Sequence, residues 1–290
     1  MSEIIQELVE LLNLETIEHN LFRGQSQDIG SHSVFGGQVI SQALVAAART
    51  LDNDRHTHSL HAYFLRPGDM EAPIVYKVDR IRNGGSFTTR RVVAVQHGEA
   101  IFSMSCSFQT LEDGLEHQAV DMPNVPAPAD VEPESELIKR VVHKIPERIR
   151  DTLTRECPIE IRPVNPVDFF TPEKTSPRKQ VWFKTNGKLN DSQPLHQALL
   201  AYASDFGLIG TGMMPHGLSF CNPALQVASL DHAIWFHHPF RADDWLLYDM
   251  ESPSASNARN FNRGLIYNQA GQLVASVAQE GLMRIRKKRG

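Results

Sequence analysis

The chain repeats itself. Apolar residues at helical spacing, followed by four runs of strand-like alternation, occur in the same order in both halves. In the first half the spacing predicts a helix from Gly37 to about Thr50, with Val39, Ile40, Ala43, Leu44 and Ala47 on one face. Strands are predicted at 58–66, 73–82, 86–96 and 100–109, with hairpin turns at Asn83-Gly84-Gly85 and His97-Gly98. In the second half Pro194 marks a helix start just after Asp191 and Ser192, and that helix runs to about Asp205. Strands follow at 226–237, 245–251, 259–268 and 273–285. His61-Ala62 and His232-Ala233 lie 171 residues apart, and each opens an aromatic run that closes at Pro67 or Pro239. Arg90 and Arg263, Gly98 and Gly271, and Ser103 and Ser276 are each 173 residues apart. One long helix followed by an antiparallel sheet, made twice, points to an α+β architecture of two similar units. A sheet wrapped on a single helix leaves an open edge, and two units paired edge to edge would close it.

The join between the repeats is legible in composition. Residues 111–134 hold Pro123, Pro126, Pro128 and Pro133 among acidic and small residues, a mixture read as a linker that does not pack a core. The expected organisation is a first unit over 1–110, a linker over 111–134 and a second unit over 135–290. Residues 135–155 are expected to be helical, through Leu137, Val141, Val142 and Ile145, before Pro-punctuated coil at 158–177. With 290 residues, 41% of them apolar and 22% charged, the chain resembles an ordinary soluble globular protein. That composition argues against a largely disordered, collagen-like or coiled-coil chain. A net charge of −5 gives no general attraction to nucleic acid or to an anionic membrane surface. Cys106, Cys157 and Cys221 are odd in number and lack C-x-x-C spacing, which favours a reducing, cytoplasmic setting. The first fifteen residues are interrupted by charge and read as a short amphipathic helix through Ile4, Leu8, Leu11 and Leu12, not as a signal peptide. No apolar run approaches the ~18 residues of a membrane span. The final RIRKKRG is neither a peroxisomal nor a lipidation signal and reads as a solvated end.

Common catalytic motifs do not fit. Gly217-Leu218-Ser219-Phe220-Cys221 lacks the second glycine of a nucleophile elbow, and Gly207, Gly210 and Gly212 have the wrong order for a dinucleotide fingerprint. His56, His58 and His61 cluster before a strand, matched by His232, His237 and His238. Residues three apart on a strand face opposite sides, so these histidines read as structural and no metal is expected. Three polar residues stand out. Asp205 ends a helix, where a carboxylate opposes the macrodipole. Gln279 sits among Val274, Ala275, Val277 and Ala278, where an unpaired amide costs free energy. Ser229 alone is unremarkable. By themselves these residues leave two readings open, a reactive site or background polarity.

The segments VFGGQVISQAL (34–44), HSLHAYFLRPGD (58–69), GSFTTRR (85–91), HQALLAYASD (196–205), SLDHAIWFHHPF (229–240), WLLYDMESPSASNAR (245–259) and SVAQEGLMR (276–284) together resemble the acyl-CoA thioesterase II family. The likeness runs from about residue 5 to 285, with the motifs in order. It implies a double hotdog, in which each unit is a long helix wrapped by an antiparallel sheet. It also implies hydrolysis of acyl-CoA to a free fatty acid and coenzyme A, without a cofactor, in a homo-oligomer. Family members hold the hydrolytic water with an Asp, a Ser or Thr, and a Gln, here Asp205, Ser229 and Gln279. The developing oxyanion needs backbone donors, and Gly36 and Gly37 at a helix start would let a backbone come close. At an offset of 173 Gln279 aligns with Cys106, and at 171 Ser229 aligns with His58; no acid lies between Gly37 and Thr50. The first half therefore lacks the trio, and one site per chain is expected, with the first half as its other wall. Two other readings are a hotdog hydratase or dehydratase, which typically pairs Asp with His, and a non-catalytic acyl-CoA-binding module. Release of free thiol separates hydrolysis from binding alone.

Overall fold

Helix α2 (Gly36–Ala48) is buried almost all round because a sheet wraps it and a second helix lies along it. Its alanines let that helix, α5 (Gln193–Ala203), come close, and the Ser41 hydroxyl donates to the Ala198 carbonyl across the contact at 2.7 Å. The buried amide of Gln42 is satisfied as well: it donates to Leu11 O and Gln25 O and accepts from the Tyr76 hydroxyl at 2.6 Å. Helix α5 starts at Ser192 with a proline in its first turn, as the sequence predicts. The computed structural model describes residues 2–31, 33–51, 55–145 and 147–286.

The first half contributes α1 (Glu3–Leu12), β1 (Glu15–Glu18), β2 (Leu21–Gly24), α2, β3 (His56–Phe64), β4 (Ile74–Asn83), β5 (Phe87–Gln96) and β6 (Glu99–Gln109). The second contributes α3 (Glu134–Arg140), α4 (Glu147–Thr154), β7 (Ile159–Pro163), β8 (Arg178–Thr185), α5, α6 (Leu208–Thr211), β9 (Leu225–Ser229), β10 (Asp231–Phe236), β11 (Leu246–Ser256), β12 (Arg259–Asn268) and β13 (Leu273–Ile285). The described strands form one thirteen-stranded sheet in the order β1-β2-β4-β5-β6-β3-β10-β13-β12-β11-β8-β7, with β9 also on β13. Read from the middle outward, each strand of one half has its counterpart in the other. The halves meet where β3 and β10 pair antiparallel, His61 opposite Ala233 and Ala62 opposite His232. The hairpin glycines match too: Gly98 and Gly271 take φ of 78° and 83°, a region that favours glycine.

Several expectations change. Arg90 and Arg263 are not equivalent. Arg90 is buried on the inner face, whereas Arg263 is exposed and pairs with Glu251; the inward residue matching Arg90 is Asn262. A slip of one residue along a strand exchanges its faces. The strand predicted at 226–237 is broken at Leu230 into β9 and β10. The coil of 158–177 includes β7, and the outer strands β1, β2, β7 and β8 are too short, or too close to prolines, to announce themselves in the sequence. The helix expected at 135–155 is two short helices with a 3₁₀ turn between them. In α1 the inward residues are Ile5, Leu8 and Leu12, so Ile5 takes the place expected of Ile4. Residues 111–134 do pack: Val131 joins Trp182, Leu247 and Tyr267 in a small second core, and the Trp182 indole donates to Pro126 O at 2.9 Å.

Gly264 faces Tyr248 so closely that an added Cβ would lie 2.2 Å from the ring carbon Cε2, and both residues are buried. The Tyr248 ring is also held by its hydroxyl, which donates to Ser204 O at 3.0 Å, so it cannot swing aside. Gly264→Ala should destabilise the fold by about 1–3 kcal/mol, read by denaturant unfolding.

Candidate active site

Asp205 lies two residues past the end of α5, where Gly207 at φ 75° turns the chain into α6. The turn aims the carboxylate inward, and its side chain is only 7% exposed. Oδ2 accepts the backbone N–H of Gly37 at 3.0 Å, and Oδ1 accepts the Gln279 side-chain amide at 2.8 Å. The same Gln279 nitrogen donates to Ser229 Oγ at 3.0 Å. The three residues singled out in the sequence thus meet in one hydrogen-bonded cluster, although 74 and 50 residues separate Gln279 from its partners.

Strand register explains the meeting. Gln279 points inward from β13, opposite Asn262 of β12. Two positions on, Gly281 faces Ser229 of β9 on one side and Asn260 of β12 on the other. Asn260, Asn262, Gln279 and His232 are all fully buried, so the floor beneath Asp205 is a polar patch in an otherwise apolar sheet face. Burial pushes the Asp205 carboxyl above its ordinary range, while the bonds from Gln279 and Gly37 pull it down; burial dominates. The site therefore holds a carboxylate made more basic by desolvation, beside a hydroxyl and an amide.

The first half supplies the facing wall. A Cβ on Gly36 would fall 2.6 Å from Asp205 Oδ2 and 2.9 Å from Phe64 Cζ; one on Gly37 would fall 2.3 Å from the backbone oxygen of Tyr202. Both glycines are needed for α2 to approach the acid. The Gly37 N–H, expected to serve an oxyanion, is engaged by the carboxylate. Among the described residues no group of three His, Cys, Asp or Glu side chains is placed to hold a metal ion.

The matching place in the first half is filled differently. Cys106 stands where Gln279 stands and is paired in register with Arg90. Arg90 Nε donates to Thr50 Oγ1 at 2.7 Å and Nη2 to Thr50 O at 3.1 Å. Thr57, not His58, matches Ser229, because Thr57 faces Phe108 as Ser229 faces Gly281, and His58 occupies a bulge. The 171-residue alignment is therefore displaced by one residue there. The first half keeps a hydroxyl but has a guanidinium and an inert thiol, whose pKa burial raises, in place of the amides.

Asn260 and Asn262 escape the sequence reading, and His232, read there as a structural histidine, lies in the same buried patch. The signal was present: Asn260 and Asn262 alternate with the exposed Phe261 and Arg263, so two polar side chains occupy the inward positions of a strand.

A family model described as acyl-CoA thioesterase matches residues 149–282, and one described as the acyl-CoA thioesterase N-terminal domain matches 23–109. Acyl-CoA thioesterase 2 of Haemophilus influenzae is 43% identical over 284 residues, 98% of this chain and 99% of that protein. The crystal structure of acyl-CoA thioesterase II TesB2 from Mycobacterium marinum is 44% identical and superposes with a TM-score of 0.78 over 96% of this chain and 98% of that one. A hot dog fold protein from Alicyclobacillus acidocaldarius, 18% identical, gives a TM-score of 0.78 over 99% and 100% of the two chains, a likeness of fold alone. The fold is a double hotdog, and the site lies at the contact of its two units. The chain belongs to the acyl-CoA thioesterase family and is a thioester hydrolase.

The raised Asp205 pKa has a consequence for stability. Between the ordinary value of 3.8 and the higher native one, the folded protein holds a proton that the unfolded chain has released. Stability therefore falls as pH rises through that window. Asp205→Asn removes this dependence. The stability of wild type relative to Asp205→Asn should decline from pH 3.8 up to the native pKa and then level off, as read from urea unfolding across pH.

Proposed function

We propose that this protein hydrolyses acyl-CoA thioesters to a free fatty acid and coenzyme A, using a water held by Asp205, Ser229 and Gln279. The observation that carries the reading is the Gln279 amide donating to both Asp205 and Ser229 in a buried place. The names of its relatives support the substrate class. A thioester carbonyl is electrophilic because sulfur donates little into it, so a positioned water and a base suffice. Asp205 takes a proton from the water as its oxygen bonds to the carbonyl carbon, and the π pair moves to the carbonyl oxygen. Ser229 and Gln279 orient the water. Collapse of the tetrahedral species breaks the carbon–sulfur bond, and the departing thiolate takes the proton from Asp205. A hydratase or dehydratase needs a His facing the substrate. The His beside Asp205, His232, is wholly buried and bonded to Ser204, which disfavours that reading. The guanidinium in the first half is no base, which favours one site per chain.

The unit boundaries at 110 and 134 are part of the same proposal, as is a cytoplasmic location, which the three free cysteines suit. We also propose a homo-oligomer: Tyr63 and Trp235, 63% and 38% exposed, project from the central strands β3 and β10. Light scattering that returned only a monomer at micromolar concentration would exclude it.

Thiol release from acyl-CoA tests the chemistry. Asp205→Asn should lower turnover on the order of 10²–10⁴-fold with binding retained, since the amide is nearly isosteric and takes no proton. Gln279→Ala should also cost turnover, and the double mutant should lose less than the product of the two single losses. Ser229→Thr should be tolerated and Ser229→Ala should not. Cys106→Ala, in the first half, should leave turnover almost unchanged. Thiol release abolished by Cys106→Ala but spared by Asp205→Asn would move the site to the other unit.

A further inference from the structure

His232 is a titratable side chain in the floor under Asp205, and the hydrolysis above gives it no part. The Ser204 hydroxyl lies 2.9 Å from Ala201 O and 2.9 Å from His232 Nε2; donation of its one proton to Ala201 O leaves it to accept from the ring, a pattern that suits the Nε2–H tautomer. Burial pushes the His232 pKa down to about 3, which keeps the ring neutral. A neutral ring protonated on Nε2 carries a bare lone pair on Nδ1. That atom is shielded from solvent, makes no hydrogen bond among the described residues, and lies 4.0 Å from Asp205 Oδ1.

Two acceptors thus face each other while Asp205 is ionised. Adding a proton to the carboxylate reverses the interaction, because a carboxylic O–H can donate to Nδ1 after a movement of about 1 Å. We propose that His232 is a positioning residue whose Nδ1 receives the O–H of Asp205 once the carboxylate has taken the proton from the attacking water. The inference rests on the reading of Asp205 as the base. No bond beyond the water–carboxylate proton transfer is made: the proton stays on Asp205, shared toward the ring, until the thiolate leaves with it. The arrangement raises the basicity of Asp205 in the same direction as burial. Other groups turned toward Asp205 do not titrate in the same range. Tyr248 of β11 is a buried phenol whose pKa is raised well above the ordinary value, while α2 contributes the Gly37 amide and β13 the Gln279 amide.

His232→Gln retains a donor at the Nε2 position for Ser204 and removes the acceptor facing Asp205; His232→Asn places an amide oxygen near the former Nδ1. With thiol release followed across pH, His232→Gln should shift the acid limb of kcat to lower pH. It should also lower the plateau about tenfold, the value of one buried hydrogen bond, with KM little changed. His232→Asn should recover part of the plateau. In ¹⁵N NMR of the wild-type protein, the His232 Nδ1 resonance should move as Asp205 is protonated, with the ring still neutral, and should stay still in Asp205→Asn. An Nδ1 signal silent through the acid limb, or an unmoved limb in a folded His232→Gln, would reduce His232 to packing. Full turnover in Asp205→Asn would instead overturn the reading of Asp205 as base, whatever the ring does.

Discussion

The antiparallel pairing of β3 with β10 holds the molecule in its working form. Each unit by itself would have an unpaired strand edge. Joining those edges closes the sheet in its middle and lays α2 along α5. It also brings the start of a helix in one unit against the end of a helix in the other. The Gly37 amide and the Asp205 carboxylate, 168 residues apart, meet only because of that junction. Gly36 and Gly37 are then dictated by space, since side chains there would collide with Asp205, Phe64 and the backbone at Tyr202.

Around that contact the protein tolerates a local cost. A buried carboxylate with no cationic partner among the described residues is disfavoured, and several buried acceptors at the site, Gln279 Oε1, Asn262 Oδ1 and His232 Nδ1 among them, make no hydrogen bonds among those residues. In the proposed hydrolysis such groups are those the reacting water and its proton would use. The equivalent region of the first unit resolves the same geometry differently: the Arg90 guanidinium reaches the Thr50 hydroxyl and carbonyl and fills the space. One unit has kept an unsatisfied polar pocket while the other has a satisfied structural one. The cost of an under-partnered site is thereby confined to a single place in the sheet.

Much of the fold is legible without coordinates. The two helices and the long strands β4, β5, β6, β12 and β13 follow from apolar spacing, and the duplication follows from their order. The short outer strands do not, because four or five residues carry too little periodicity to stand out beside prolines. The packing of residues 111–134 was hidden for another reason: a composition poor in apolar residues can still cover a sheet face when a few side chains, Val131 and Met122 among them, reach it. Asp205 and Gln279 are visible as misplaced polarity and Ser229 only through a family likeness, whereas His232 reads as structural and the buried Asn260 and Asn262 carry no motif.

What the sequence determined by itself is the repeat, the type of each long element and the identity of the polar residues set in apolar surroundings, since these depend on local spacing. Register and approach belonged to the tertiary structure. Whether Arg90 corresponds to Arg263 or to Asn262, and whether Thr57 or His58 matches Ser229, turns on a single-residue slip that reverses the face of a side chain. Local patterning does not resolve a shift that small across 170 residues of chain, and only the closed sheet decides which groups share the space beneath Asp205.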